Sequence, residues 1–167
     1  MLPIRHLSRH LSEPPVVPVI TGVAVRNYAG TADIAAWLDL RHRGFAAERI
    51  PIRPWDAGDF QREMIAKPWW KPENLWLAED RAAGASRLVG AVTLAMRGSE
   101  SEGVPVVHWL MVAPEWRRRG MGRLLMTALE MACWEQGLRQ VSLETHIAWT
   151  AANRFYETLG YSDRFSA

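Results

Sequence analysis

The chain has 167 residues and a mass of 18.9 kDa, about one domain's worth, so a multidomain machine is excluded. With 49% hydrophobic and 23% charged residues the composition is that of a globular protein with enough apolar side chains for a sizeable core, not of a disordered chain. Twenty basic against 18 acidic residues leave a net charge of only +2, with no long basic block, so a general nucleic-acid surface is not expected and any anion site must be local.

A single cysteine, Cys133, rules out an internal disulfide and a multi-cysteine zinc site, and favours a reducing, cytoplasmic setting. No run approaches the ~18 apolar residues of a membrane span, and the first residues lack the apolar core of a secretory signal. Residues 1–18 read as a mobile N-terminal arm ending near Pro14 and Pro15, although Leu2, Ile4, Leu7 and Leu11 would line one side of a short basic helix. Residues 19–167 then form one domain.

After Pro18, Ile20–Tyr28 reads as a first strand. Thr31 and Asp33 open a helix whose Ile34, Trp37, Leu38 and Leu40 recur at helical spacing as far as Gly44 and Phe45. A second helix follows Pro54, capped by Asp56, burying Phe60, Met64 and Ile65 and stopped by Pro68. Asn74–Glu79 and Arg87–Met96 form a hairpin across the polar loop Asp80–Ser86, and Gly98–Gly103 is a turn. The nearly continuous apolar run Pro105–Val112 suits a central strand covered on both faces. Met121, Leu124, Leu125, Ala128, Leu129 and Ala132 predict a helix over 121–136 ending at Gly137. Gln140–Ile147 is a strand and Thr150–Leu159 a helix closed by Gly160, giving a mixed α/β domain.

The segment Arg117-Arg118-Arg119-Gly120-Met121-Gly122-Arg123 lies between the central strand and the longest helix. Two glycines free backbone N–H groups to turn toward a ligand, the helix start adds its positive dipole end, and the arginines add charge, which together make a diphosphate cradle. It is neither a P-loop, lacking Gly-x-x-x-x-Gly-Lys-Ser/Thr, nor a dinucleotide fingerprint, because Leu125 stands where a third glycine would be.

From Val112-Ala113-Pro114 through Arg117–Gly122 the sequence resembles the acetyl-CoA signature of the GNAT acyltransferase superfamily. Leu143-Glu144 and the stretch Ala152–Tyr161 resemble that family's later strand and helix; the good match covers 105–161. Residues 68–75 followed by Gly90 are similar, more distantly, to mycothiol synthase-like members. The resemblance implies a GNAT acyl-CoA N-acyltransferase fold, a mixed but mostly antiparallel sheet flanked by helices. In that fold the central strand and the strand after the long helix splay apart; unpaired backbone at Leu110, Met111 and Val112 would hold the pantetheine arm, and the amides of Arg118–Arg123, with Arg117 beside them, the diphosphate. Tyr156 would protonate the departing thiolate, and Glu144 or His108 would be the base. No metal is expected.

Two departures from the family pattern stand out. Trp149 occupies the place of a cofactor-contacting asparagine, with Asn153 one turn later as a substitute. The chain also stops six residues after Tyr161, so the C-terminal strands are shortened and the sheet edge beyond 140–147 is expected to be open, inviting a homodimer or filling by the N-terminal arm. Nine tryptophans exceed a core's needs; Trp55, Trp69 and Trp70, beside Asp56, Asp59 and Glu63, suit an aromatic and acidic wall for a cationic amine. The expected function is acetyl transfer from acetyl-CoA to a primary amine of a small molecule or peptide, with a catalytically degenerate acyl-CoA-binding or regulatory module as the alternative. Neither nucleic acid nor membrane is an expected partner.

Overall fold

The computed structural model describes residues 3–46, 48, 52–82, 84, 86–98 and 102–164. Seven strands form one sheet: β1 (Ile4–His10), β2 (Val23–Asn27), β3 (Leu75–Asp80), β4 (Arg87–Arg97), β5 (Val104–Val112), β6 (Gln140–His146) and β7 (Ser162–Asp163). Their spatial order is β2-β3-β4-β5-β6-β1-β7, antiparallel throughout except for the β5–β6 pair. The helices are α1 (Ala32–Phe45), α2 (Ala57–Phe60) with a π-type turn over Gln61–Ile65, α3 (Met121–Glu135) and α4 (Thr150–Thr158). This is the mixed, mostly antiparallel α/β architecture the sequence predicts, with β5 at the middle of the sheet.

β4 is buried without interruption from Leu88 to Ala95, because helices cover both of its faces. Gly90 faces α3 so closely that a β-carbon there would meet Leu125 Cδ1 at 2.8 Å. Its neighbour Ala91 pairs with Met111, whose Cβ lies against Gly44 of α1. α2 starts as predicted at Asp56, which accepts from Asp59 N at 2.8 Å while the Asp59 carboxylate accepts from Asp56 N, a complete capping box. At α1 Thr31 makes no side-chain cap; Asp33 turns back instead to accept from Ala29 N and Arg26.

The N-terminus departs from the expected mobile arm. Ile4–His10 pairs along its whole length with β6, from Ile4 opposite His146 to His10 opposite Gln140, and Leu7 is fully buried. Leu11 follows it into the core. The physical reason is the open edge itself: β6 offers a row of unpaired backbone groups, and β1 takes them all. The short β7 then adds to the far side of β1 at Leu7 and Ser8. The edge on which the expectation of a homodimer rested is therefore closed within the chain. The first strand is shorter than predicted, and the expected loops at 80–86 and 98–103 fall partly outside the described residues.

Candidate active site

β5 and β6 pair only at Val106 with Ser142 and Val107 with Leu143. Beyond these two rungs the parallel strands part. The cause lies in β5: between Thr93 opposite His108 and Ala91 opposite Met111, two steps on β4 are matched by three on β5. The extra residue is taken up at Trp109, whose φ of 49° is left-handed, an uncommon conformation for a bulky side chain. The bulge turns the end of β5 away from β6, so Leu110, Met111 and Val112 line a cleft edge without a strand partner on the β6 side.

At the end of that edge the chain turns through Pro114–Trp116 into α3. Arg118 and Gly120 have φ of 61° and 84°, and α3 has no side-chain cap. Among the described residues, the N–H groups of Arg118–Arg123 have no protein acceptor, and the first to find one is Leu124, on Gly120 O at 3.0 Å. A turn with two left-handed residues that leads into an uncapped helix start is an arrangement suited to an anion. The four predicted arginines divide. Arg117 donates to Gly44 O at 2.6 Å and pins the turn to α1, and Arg119 stacks 4.0 Å over the Trp116 ring. Arg118 and Arg123 have no carboxylate partner among the described residues and remain available to a ligand.

Gly122 has a different role from the one its motif suggests. A β-carbon there would come within 2.8 Å of Phe155 Cζ, so the second glycine makes room for α4 rather than for a ligand. Through this contact Phe155 of α4 packs on the first turn of α3, and Tyr156 follows it in the helix. Tyr156 is half-buried between the rings of Phe155 and Tyr161; its hydroxyl has no protein partner among the described residues, and burial pushes its phenol well above the ordinary range. It is therefore neutral at pH 7 and a proton donor.

Asn153, expected at the cofactor, is engaged elsewhere. Its amide nitrogen donates to His146 O at 2.9 Å and Trp149 O at 2.7 Å, and its oxygen accepts from Arg5. It braces the β6–α4 turn against β1. Trp149 packs on Phe45 and His146.

The candidate bases share one face. His108, Glu144 and Ser142 are aligned by the β5–β6 register, and β1 adds His6 opposite Glu144. Glu144 accepts from Arg97 at 2.6 Å and has His6 Nδ1 at 3.4 Å. His108 lies against Trp69 and Trp109, and burial lowers its pKa to about 4, an effect that the Glu144 and Glu63 carboxylates oppose in part. At neutral pH it is an uncharged imidazole with a free lone pair, not a group poised at half protonation. The sequence missed His6 and Arg97, since only the β1–β6 and β4–β5 registers bring them to Glu144.

The expected acidic wall is also altered. Asp59 accepts from Arg53 and Arg62 and Asp56 caps α2, so neither is a free anion for a cationic ligand. The Arg53 guanidinium holds Asp59 far below the usual carboxylate range.

A family model described as the acetyltransferase (GNAT) family matches residues 36–161. The chain belongs to the GNAT acetyltransferase family. Among curated relatives it is 33% identical over 161 residues to the mycothiol acetyltransferase of Nocardia farcinica, an alignment covering 93% of this chain and 51% of that protein. The chain thus spans about half the length of the curated relatives it matches. Among solved structures, the GCN5-related N-acetyltransferase of Sphaerobacter thermophilus superposes with a TM-score of 0.69 at 21% identity, over 96% of this chain and 48% of that one. The NatC complex bound to Gag peptide and CoA gives 0.63 at 17% identity, over 83% and 84%. These likenesses share the fold. Within this GNAT fold β1 occupies the position beside β6, and among the described residues no three His, Cys, Asp or Glu side chains group to hold a metal ion.

Proposed function

We propose that the chain is an acetyl-CoA-dependent N-acetyltransferase acting on a primary amine. The observation that carries this reading is the turn 118–123, where amides without a backbone acceptor follow the open β5 edge, and where Phe155, the neighbour of Tyr156, packs on Gly122. The amides and the Arg118 and Arg123 side chains would hold the diphosphate, and the backbone of Leu110–Val112 the pantetheine. When bound, acetyl-CoA supplies a thioester carbon open to attack.

His108 is the better placed of the two bases. It is uncharged at pH 7 and close to the cleft, whereas the Glu144 carboxylate already serves Arg97. His108 would take the proton that the amine loses as its nitrogen bonds to the acetyl carbon. As the carbon–sulfur bond breaks, Tyr156 would give its proton to the sulfur and leave a free thiol. The name of the curated relatives, mycothiol acetyltransferase, supports an acetyl group as what is transferred.

A second reading, an acyl-CoA-binding module without turnover, is favoured by the 2.6 Å Arg97 contact that occupies Glu144. The two separate in one experiment: incubation with acetyl-CoA and a panel of primary amines, with thiol release followed against time. Release that depends on one class of amine and drops in a Tyr156→Phe variant supports the enzyme. Tight acetyl-CoA binding with no release on any amine supports the module.

A further inference from the structure

Eight arginines, half-buried or exposed, meet a carboxylate: Arg5, Arg9, Arg26, Arg43, Arg53, Arg62, Arg81 and Arg97 all form ion pairs. Arg41, on α1, has none among the described residues, although it is only 5% exposed. Its guanidinium carbon lies 4.5 Å from the Trp55 ring centroid and 4.7 Å from that of Trp109, two indoles that stand edge to face 5.1 Å apart on one side of the buried cation. One nitrogen, Nη1, donates to Arg53 O at 2.9 Å. Nε is sealed from solvent and has no acceptor among the described residues.

A buried cation without a counter-ion is costly, and stacking on two indoles offsets only part of that cost. The surroundings supply only part of the missing charge: burial and Arg53 disfavour the charged guanidinium more than the Asp59 carboxylate favours it. Asp59 is already shared between Arg53 and Arg62, and Arg53 adds a second positive charge facing Arg41. The position is informative as well: Trp109 is the bulge residue at the mouth of the open β5 edge, and it packs against His108.

We propose that Arg41 is a binding site for a carboxylate carried by the acceptor, so that the substrate class is an amino-carboxylic acid rather than a simple or polycationic amine. This rests on the reading of the chain as an N-acetyltransferase. Trp55 and Trp109 hold the guanidinium from one side, and a carboxylate that enters beside them pairs with the Nε–H that the free chain encloses without an acceptor. The same carboxylate neutralises Arg41, while His108, whose ring also packs on Trp109, meets the amine.

The test reads binding apart from turnover. In the full chain labelled with nitrogen-15, the Arg41 Nε–H resonance is identified by its absence from an Arg41→Met variant and followed while propionate, or the uncharged propionamide, is added. The expected result is a saturable shift with propionate and none with propionamide. Acetylation rates are then compared for amino acids and the corresponding amino amides, with an expected preference of about tenfold or more for the acid, lost in Arg41→Met. An Arg41 resonance indifferent to propionate overturns the proposal, as does an acid preference that survives in a folded Arg41→Met. If that variant does not fold, the resonance is assigned through bonds from the Arg41 backbone and the wild-type titration decides alone. A propionate shift without turnover on any amine sustains the anion site while the enzymatic reading fails.

Discussion

Phe155 stands where a β-carbon on Gly122 would have to go: the two would approach to 2.8 Å, from α3 to a ring on α4. One contact thus fixes the distance between the amide-lined turn and the helix that carries Tyr156. Gly122→Ala forces that ring aside and is expected to cost about 1–3 kcal/mol of stability, as overpacking does. It should lower turnover more than acetyl-CoA affinity. Adding Phe155→Leu should restore part of both, which denaturation and rate measurements on the double-mutant cycle will show.

Leu7 is the fully buried anchor of β1. Leu7→Ala is expected to destabilise the chain by about 2–5 kcal/mol, the range for large-to-small changes in a core. Were residues 4–10 a solvated arm, the same change would leave the melting temperature where it is.

The helices, the hairpin and the central strand were legible because each is written in local periodicity, and Asp56 announced its helix correctly. β1 was not. Ile4–His10 contains one fully buried residue and four basic ones, and its partners Gln140–His146 lie more than a hundred residues away. The same distance hid His6 from Glu144. Motif resemblance located the turn 117–123 but not the division of labour within it: that Arg117 reaches Gly44, and that Gly122 serves Phe155, depends on how α1 and α4 pack.

Burial lowers the His108 pKa to about 4 from the 6.5 of an exposed imidazole. Between those two values the unfolded chain binds a proton there that the folded chain refuses, so stability falls as pH drops from 6.5 toward 4. His108→Gln should flatten this part of a stability-against-pH curve measured by urea denaturation. For the reaction, no acid limb is expected near pH 6.5 from this residue. The rate should instead rise with pH as the acceptor amine loses its proton.

Tyr156→Phe removes the proton donor and leaves the ring packing against Phe155 and Tyr161. Turnover is expected to fall on the order of 100-fold, with acetyl-CoA affinity changed by less than about twofold. Steady-state rates and a binding isotherm on the same preparation separate the two effects.

The central claim is that the turn Arg118–Arg123 holds the diphosphate of acetyl-CoA, and calorimetric titration tests it most directly. The chain is titrated with acetyl-CoA beside a Gly120→Glu variant, whose folding is checked by circular dichroism and which places an anion at the left-handed residue of the turn. The account predicts saturable binding with one site per chain, abolished in the variant. A folded wild-type chain that does not bind acetyl-CoA, or a folded variant that binds it equally well, would contradict it.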